Sequence, residues 1–291
     1  MKLHLIIYIA LLCAFPLKGH AALYQDADYS TADSLRIVSL LDEACALSSK
    51  PHSWMLWFGK KFLSVPYVGG TLDRATEERL VVNTRQLDCT TFVETVAALS
   101  LCAQKNKVSF EDFLFYLSKV RYIDGRVEYV CRQHYFSTWA LHNEREGIVT
   151  EIHPNPPFTA TQYVEAHWMT THVANYKMLS SHPEWVQGIK ALEKEITGLR
   201  CDYIPAASLA NTALFRTIIH DGDIIAIVTS KHGLDTTHLG LASWHADGLH
   251  LLNASSIHHR VVDETKLLRT YLLRNRQRIG IRVVRLNTEI E

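Results

Sequence analysis

The chain has 291 residues, 47% hydrophobic and 21% charged, enough apolar side chain to bury a sizeable core in one large domain. Thirty lysines and arginines stand against thirty aspartates and glutamates, so the formal net charge is zero. That balance excludes a bulk nucleic-acid footprint and an anionic-membrane surface, and recognition of a charged ligand must be local.

In chain order, Met1-Lys2, the apolar run from Leu3 to Phe15 and the small-residue exit Gly19-His20-Ala21 read as a secretory signal over 1–21, too short for a comfortable membrane span. The expectation is a single mature domain over 22–291, periplasmic or secreted, with no stable membrane association. Helical spacing is predicted over 31–47 and 53–63, followed by a break at Val65-Pro66-Tyr67-Val68-Gly69-Gly70. Asp88-Cys89-Thr90-Thr91-Phe92-Val93-Glu94 opens an apolar helix, and Ser109 starts another over 110–120. The stretch 122–201 reads as a large insertion that shapes the site, with a helix over 183–196. Thereafter the texture changes to short β-prone runs, 223–229, 238–244, 249–253 and 279–284, with a late helix over 264–274. The expected class is α+β, a nucleophile helix packed on an antiparallel sheet.

Cys89 at a helix start faces unpaired backbone N–H groups and the positive dipole end, which favour a thiolate and can hold an oxyanion. His238, on a predicted strand, supplies a base, and Asn253, ending the next strand, can orient its ring. Export bears on the other cysteines: Cys45, Cys102, Cys131 and Cys201 either pair in one of three ways, leaving Cys89 free, or stay as buried thiols.

Pro66-Tyr67-Val68-Gly69-Gly70, Asp88-Cys89, Asp221-Gly222-Asp223-Ile224 and His238-Leu239-Gly240 resemble the ordered landmarks of NlpC-type papain-like cysteine hydrolases. Arg132-Gln133-His134-Tyr135-Phe136, Tyr203-Ile204-Pro205, Gly233-Leu234-Asp235 and Asn253-Ala254-Ser255-Ser256 add a resemblance to the N-acetylmuramoyl-L-alanine amidase-like branch. The resemblance implies a papain-like fold and cleavage of the muramoyl–L-alanine amide of peptidoglycan or muropeptides, without metal or cofactor. It also implies Cys89, His238 and Asn253 as catalytic residues and Tyr67, Arg132, Tyr203 and Asp235 on the substrate side, with Arg132 forking onto a peptide carboxylate. Many members carry a second histidine where this chain has Asn253.

Three rivals remain. An endopeptidase of the same fold would cut between D-glutamate and the diamino acid of the stem peptide. A non-catalytic cell-wall binding protein would have no need of all three catalytic residues, and an inert buried Cys89 would favour it. A zinc amidase suits a chain with sixteen histidines, but no His-Glu-x-x-His occurs and the consecutive His258-His259 would point to opposite faces of a strand.

Overall fold

The computed structural model describes residue 24 and residues 26–287 of the chain. The proposed signal over 1–21 lies outside the described residues. The first half is helical: α1 (Thr31–Cys45), α2 (Trp54–Lys61), α3 (Cys89–Gln104), α4 (Phe110–Arg121) and α5 (Phe136–Arg145). Ser30, Ser53 and Ser109 cap α1, α2 and α4, each side chain accepting a first-turn backbone amide. The middle carries β1 (Val149–Ile152), β2 (Ala160–Tyr163), α6 (Trp168–Thr171), α7 (Lys177–Ser181), α8 (Val186–Ile196) and β3 (Arg200–Pro205). The remainder is α9 (Ala213–Ile218), β4 (Ile224–Thr229), β5 (Thr236–Trp244), β6 (Leu249–Ser255), β7 (Arg260–Asp263), α10 (Leu268–Leu273) and β8 (Arg278–Leu286).

The strands form one sheet in the order β2-β3-β8-β4-β5-β6-β7, with β1 also on β8, and every pair is antiparallel. Both faces are covered, which is why β4 reads as an unbroken apolar run. Ile224 and Ala226 face the core built with α1–α4, while Ile225 and Ile227 face a second core with α9 and α10. Helix α3 lies at the centre of the first core, buried continuously from Thr91 to Cys102.

The segment 122–201 has a third core of its own, including Tyr129, Tyr135, Met169, Ile189 and Cys201. It is less separate than an insertion: Phe136, Trp139 and Val149 join the main core, and β1 and β2 enter the sheet. The late helix is shorter than its pattern because Glu264 still belongs to the sheet edge, its amide donating to the Leu251 carbonyl. Of the two alternatives for the cysteines, none of the pairings forms: Cys45, Cys89, Cys102, Cys131 and Cys201 are all free thiols. Three of them are buried on separate elements, Cys102 in α3, Cys131 beside Arg126 and Cys201 on β3, while Cys45 is exposed at the end of α1. Among the described residues no helix is long and apolar enough to cross a membrane.

Candidate active site

Cys89 is the first helical residue of α3 because Asp88 caps the helix. The Asp88 backbone is extended, its carboxylate accepts the Thr91 amide at 2.8 Å, and the Thr91 hydroxyl accepts the Asp88 amide at 2.9 Å. This reciprocal cap leaves the sulfur at the helix mouth, next to backbone amides with no partner further back in the helix.

His238 and Asn253 meet across β5 and β6. Leu241 pairs with Leu252, so one step along Gly240 lies opposite Asn253 and His238 is its diagonal neighbour on the same face. Gly240 keeps that diagonal open, since a Cβ there would lie 2.9 Å from the Asn253 Cβ and 2.8 Å from Leu251 Cδ1. His238 Nε2 is 2.8 Å from Asn253 Oδ1. The Asn253 amide nitrogen donates to the Leu251 carbonyl at 3.3 Å and to the Glu264 carboxylate at 3.4 Å, which assigns its oxygen to the histidine. An amide oxygen only accepts, so Nε2 carries the proton and Nδ1 is the bare nitrogen available as a base.

Cys89 and His238 line one cavity of about 140 Å³, opposite Gln133, Phe136 and Trp139. The Cys89 sulfur lies 4.0 Å from the Thr90 hydroxyl, and the Leu239 backbone favours its ionised form. A roomier cavity of about 350 Å³ beside Lys50, His220 and Arg285 contains neither Cys89 nor His238.

Burial, and then the Asp88 carboxylate, push the Cys89 thiol up to about 11, against the hydrogen bonds from Leu239 and Thr90. This corrects the expectation that the helix start lowers it. A helix end supplies roughly 0.3–1 kcal/mol, less than one pKa unit, whereas the net rise is from 9.0 to about 11. Burial also holds the His238 imidazole below its ordinary 6.5, with the Asn253 hydrogen bond pulling the other way. Thiol up and imidazole down make a neutral pair at rest. A base of this kind is lost when it protonates, so hydrolysis should be full at neutral pH and fall on acidification with a midpoint below 6.5. A pH–rate profile whose acid limb lies above that value would contradict the neutral pair.

The substrate-side candidates divide. Tyr67 lies beside the nucleophile: burial, then Cys89 and Asp88, raise its hydroxyl to about 12. Asp235 lines the cavity, but its carboxylate accepts the Ser137 amide at 2.6 Å and the Thr236 amide at 2.7 Å, bracing α5 against β5. Arg132 is buried and its charge is matched inside the protein by Asp73 at 2.5 Å and Glu78 at 3.5 Å, so the expected fork onto a peptide carboxylate is corrected, although Nη1 makes no hydrogen bond. Tyr203 lies on β3, with β8 and β4 between it and β5, and does not line the cavity. The sequence reading passed over Gly240, Glu264 and the Leu239 backbone. Of these only Gly240 left a signal, a glycine inside a strand pattern.

Among the described residues two groups, Glu165–His167–His232 and His245–Asp247–His250, offer three ligand atoms within 4.8 Å of one another. None of the six lines the Cys89 cavity.

The candidate site thus joins a helix-start cysteine and a sheet histidine, held by a buried amide, in one cavity. A family profile of N-acetylmuramoyl-L-alanine amidase-like (AmiA-like) proteins matches residues 57–281, and the chain belongs to that family. It is similar to an N-acetylmuramoyl-L-alanine amidase from Bacteroides uniformis, 36% identical over 80% of this chain and 97% of that one, with a TM-score of 0.75. It is also similar to a Bacteroides fragilis protein provisionally described as a xylanase, at 35% identity over 79% and 100% of the two chains and a TM-score of 0.74. A Legionella pneumophila protein, 22% identical over 88% and 94% with a TM-score of 0.66, shares the fold. No curated protein matches the sequence.

Proposed function

We propose that this protein is a cysteine amidase of papain-like, NlpC-type architecture that hydrolyses the amide between N-acetylmuramic acid and L-alanine in peptidoglycan or its fragments. The observation that carries the reading is His238, oriented by the buried Asn253, sharing a cavity with the helix-start Cys89. Cys89 Sγ attacks the amide carbonyl carbon while its proton passes to His238 Nδ1. Collapse of the tetrahedral intermediate breaks the C–N bond, and the leaving amine takes that proton. Water, deprotonated by His238, then cleaves the thioester. The Cys89 backbone amide, with Tyr67 alongside, is the candidate oxyanion donor. The segment over 1–21 supports export to the periplasm or beyond.

The binding-protein alternative draws on the raised Cys89 thiol. A general-base mechanism needs no resting thiolate, however, and a binding surface needs no tautomer-fixed histidine. A glycosidase reading requires two carboxylates flanking the cut. Asp235 is the one carboxylate lining the cavity, and both its oxygens are engaged by backbone amides.

The test is product identity by mass spectrometry on defined muropeptides. The expected products are a muramic-acid sugar and a peptide beginning with L-alanine, with no cleavage of the sugar-free peptide. Release of L-alanyl-D-glutamate from a sugar-free tripeptide would establish the endopeptidase instead.

A further inference from the structure

Next to the residues that hold His238 and Asn253 lies a second cavity of about 260 Å³, lined by His258, Glu264, Lys266, Tyr271, Arg274 and Arg278. It shares walls with the catalytic group. Glu264 bonds Asn253, and the Tyr271 ring centroid is 6.5 Å from that of His238. Burial raises the Tyr271 hydroxyl, with Arg278, Glu264 and Cys89 all acting on it electrostatically.

The lining is cationic and open. Lys266 and Arg274 are exposed and form no ion pair among the described residues. Arg278, half-buried, donates to the Tyr271 carbonyl at 3.2 Å and lies over its ring at 4.4 Å, again without a carboxylate partner. The cavity's single carboxylate, Glu264, is buried and turned to Asn253 and to His258, whose Nε2 is 3.3 Å from it. Three cations therefore face a space whose only anion is occupied elsewhere.

The chemistry of the substrate assigns a side to this cavity. The one carboxyl of the muramoyl group is consumed in the scissile amide, so that half carries no charge. All carboxylates lie on the leaving peptide, the first on its second residue. The residue that protonates the leaving amine is His238, and the peptide departs on its side.

We propose that the cavity bounded by Lys266, Tyr271, Arg274 and Arg278 is the subsite for the leaving peptide and takes a carboxylate of its second residue. This rests on the amidase reading for which half of the substrate enters it, and it supplies the anion recognition that the buried Arg132 does not.

The test compares two muramoyl dipeptides that differ only in a carboxylate or a carboxamide at the second residue. Binding is measured by calorimetry on Cys89→Ala protein, so the result does not depend on which bond the enzyme cuts. The carboxylate ligand should bind about tenfold more tightly, the scale of a charge-assisted hydrogen bond in a partly exposed site. In Cys89→Ala carrying Lys266→Gln and Arg274→Gln, both exposed positions that leave the core intact, that preference should fall to within about twofold while the carboxamide ligand is unaffected. Full preference in the double substitution, or no preference or no binding in Cys89→Ala itself, overturns the proposal. Product analysis of the unaltered enzyme reports separately on the amidase reading.

Discussion

Replacing Cys89 with alanine should reduce hydrolysis of muramoyl-L-alanine substrates to background, a loss on the order of 10⁴-fold or more, because no other group can form the covalent intermediate. The fold should survive. Alanine is the best helix former, the Asp88–Thr91 cap is made without the sulfur, and the buried run from Thr91 onward is untouched. Loss of one small side-chain atom should cost about 1 kcal/mol of stability at most. Liquid chromatography of the products together with a thermal melt checks both halves. Retained hydrolysis in the variant, or loss of activity of the unaltered enzyme on chelation with EDTA, would remove the cysteine from the mechanism.

His238→Ala should lose about 10²–10⁴-fold in kcat, the usual contribution of a positioned general acid–base group. With the thiol pushed up to about 11, almost none is ionised at neutral pH without the imidazole. Asn253→Ala should retain measurably more activity, because it removes only the group that fixes the ring and its tautomer. Single-turnover rates of the two variants against the parent give the order. If Asn253→Ala were as inactive as Cys89→Ala, the amide would have a role in the chemistry beyond orientation.

Much of this arrangement could be read from residue patterns. Helical spacing announced α1 and α2, the apolar run opened at Cys89 announced α3, the serine start at Ser109 announced α4, and the apolar run of β4 announced a strand. The pairing of His238 with Asn253 followed from two adjacent strands. The short strands β1, β2 and β7 were not legible, because Thr161 and Gln162, for example, lie on partly exposed strands where alternation is weak and pairing decides the conformation. Arg132 was misread for a related reason. A charged residue gives no local sign that Asp73 and Glu78, more than fifty positions earlier, will fold around it. The thiol's direction was misjudged because burial is a property of the packed molecule, and here it outweighs the helix end that the sequence displays.

The reciprocal cap at Asp88 bears on how the enzyme ages as well as on how it works. The same carboxylate that starts α3 helps to keep the neighbouring sulfur protonated. Peroxides and alkylating agents attack the thiolate rather than the thiol. On the proposed mechanism, Cys89 is unmasked only when a substrate carbonyl and His238 act on it together, and it would spend its idle time in the form least open to oxidation. Chemical durability is thus gained from the feature that, taken by itself, makes Cys89 look unreactive.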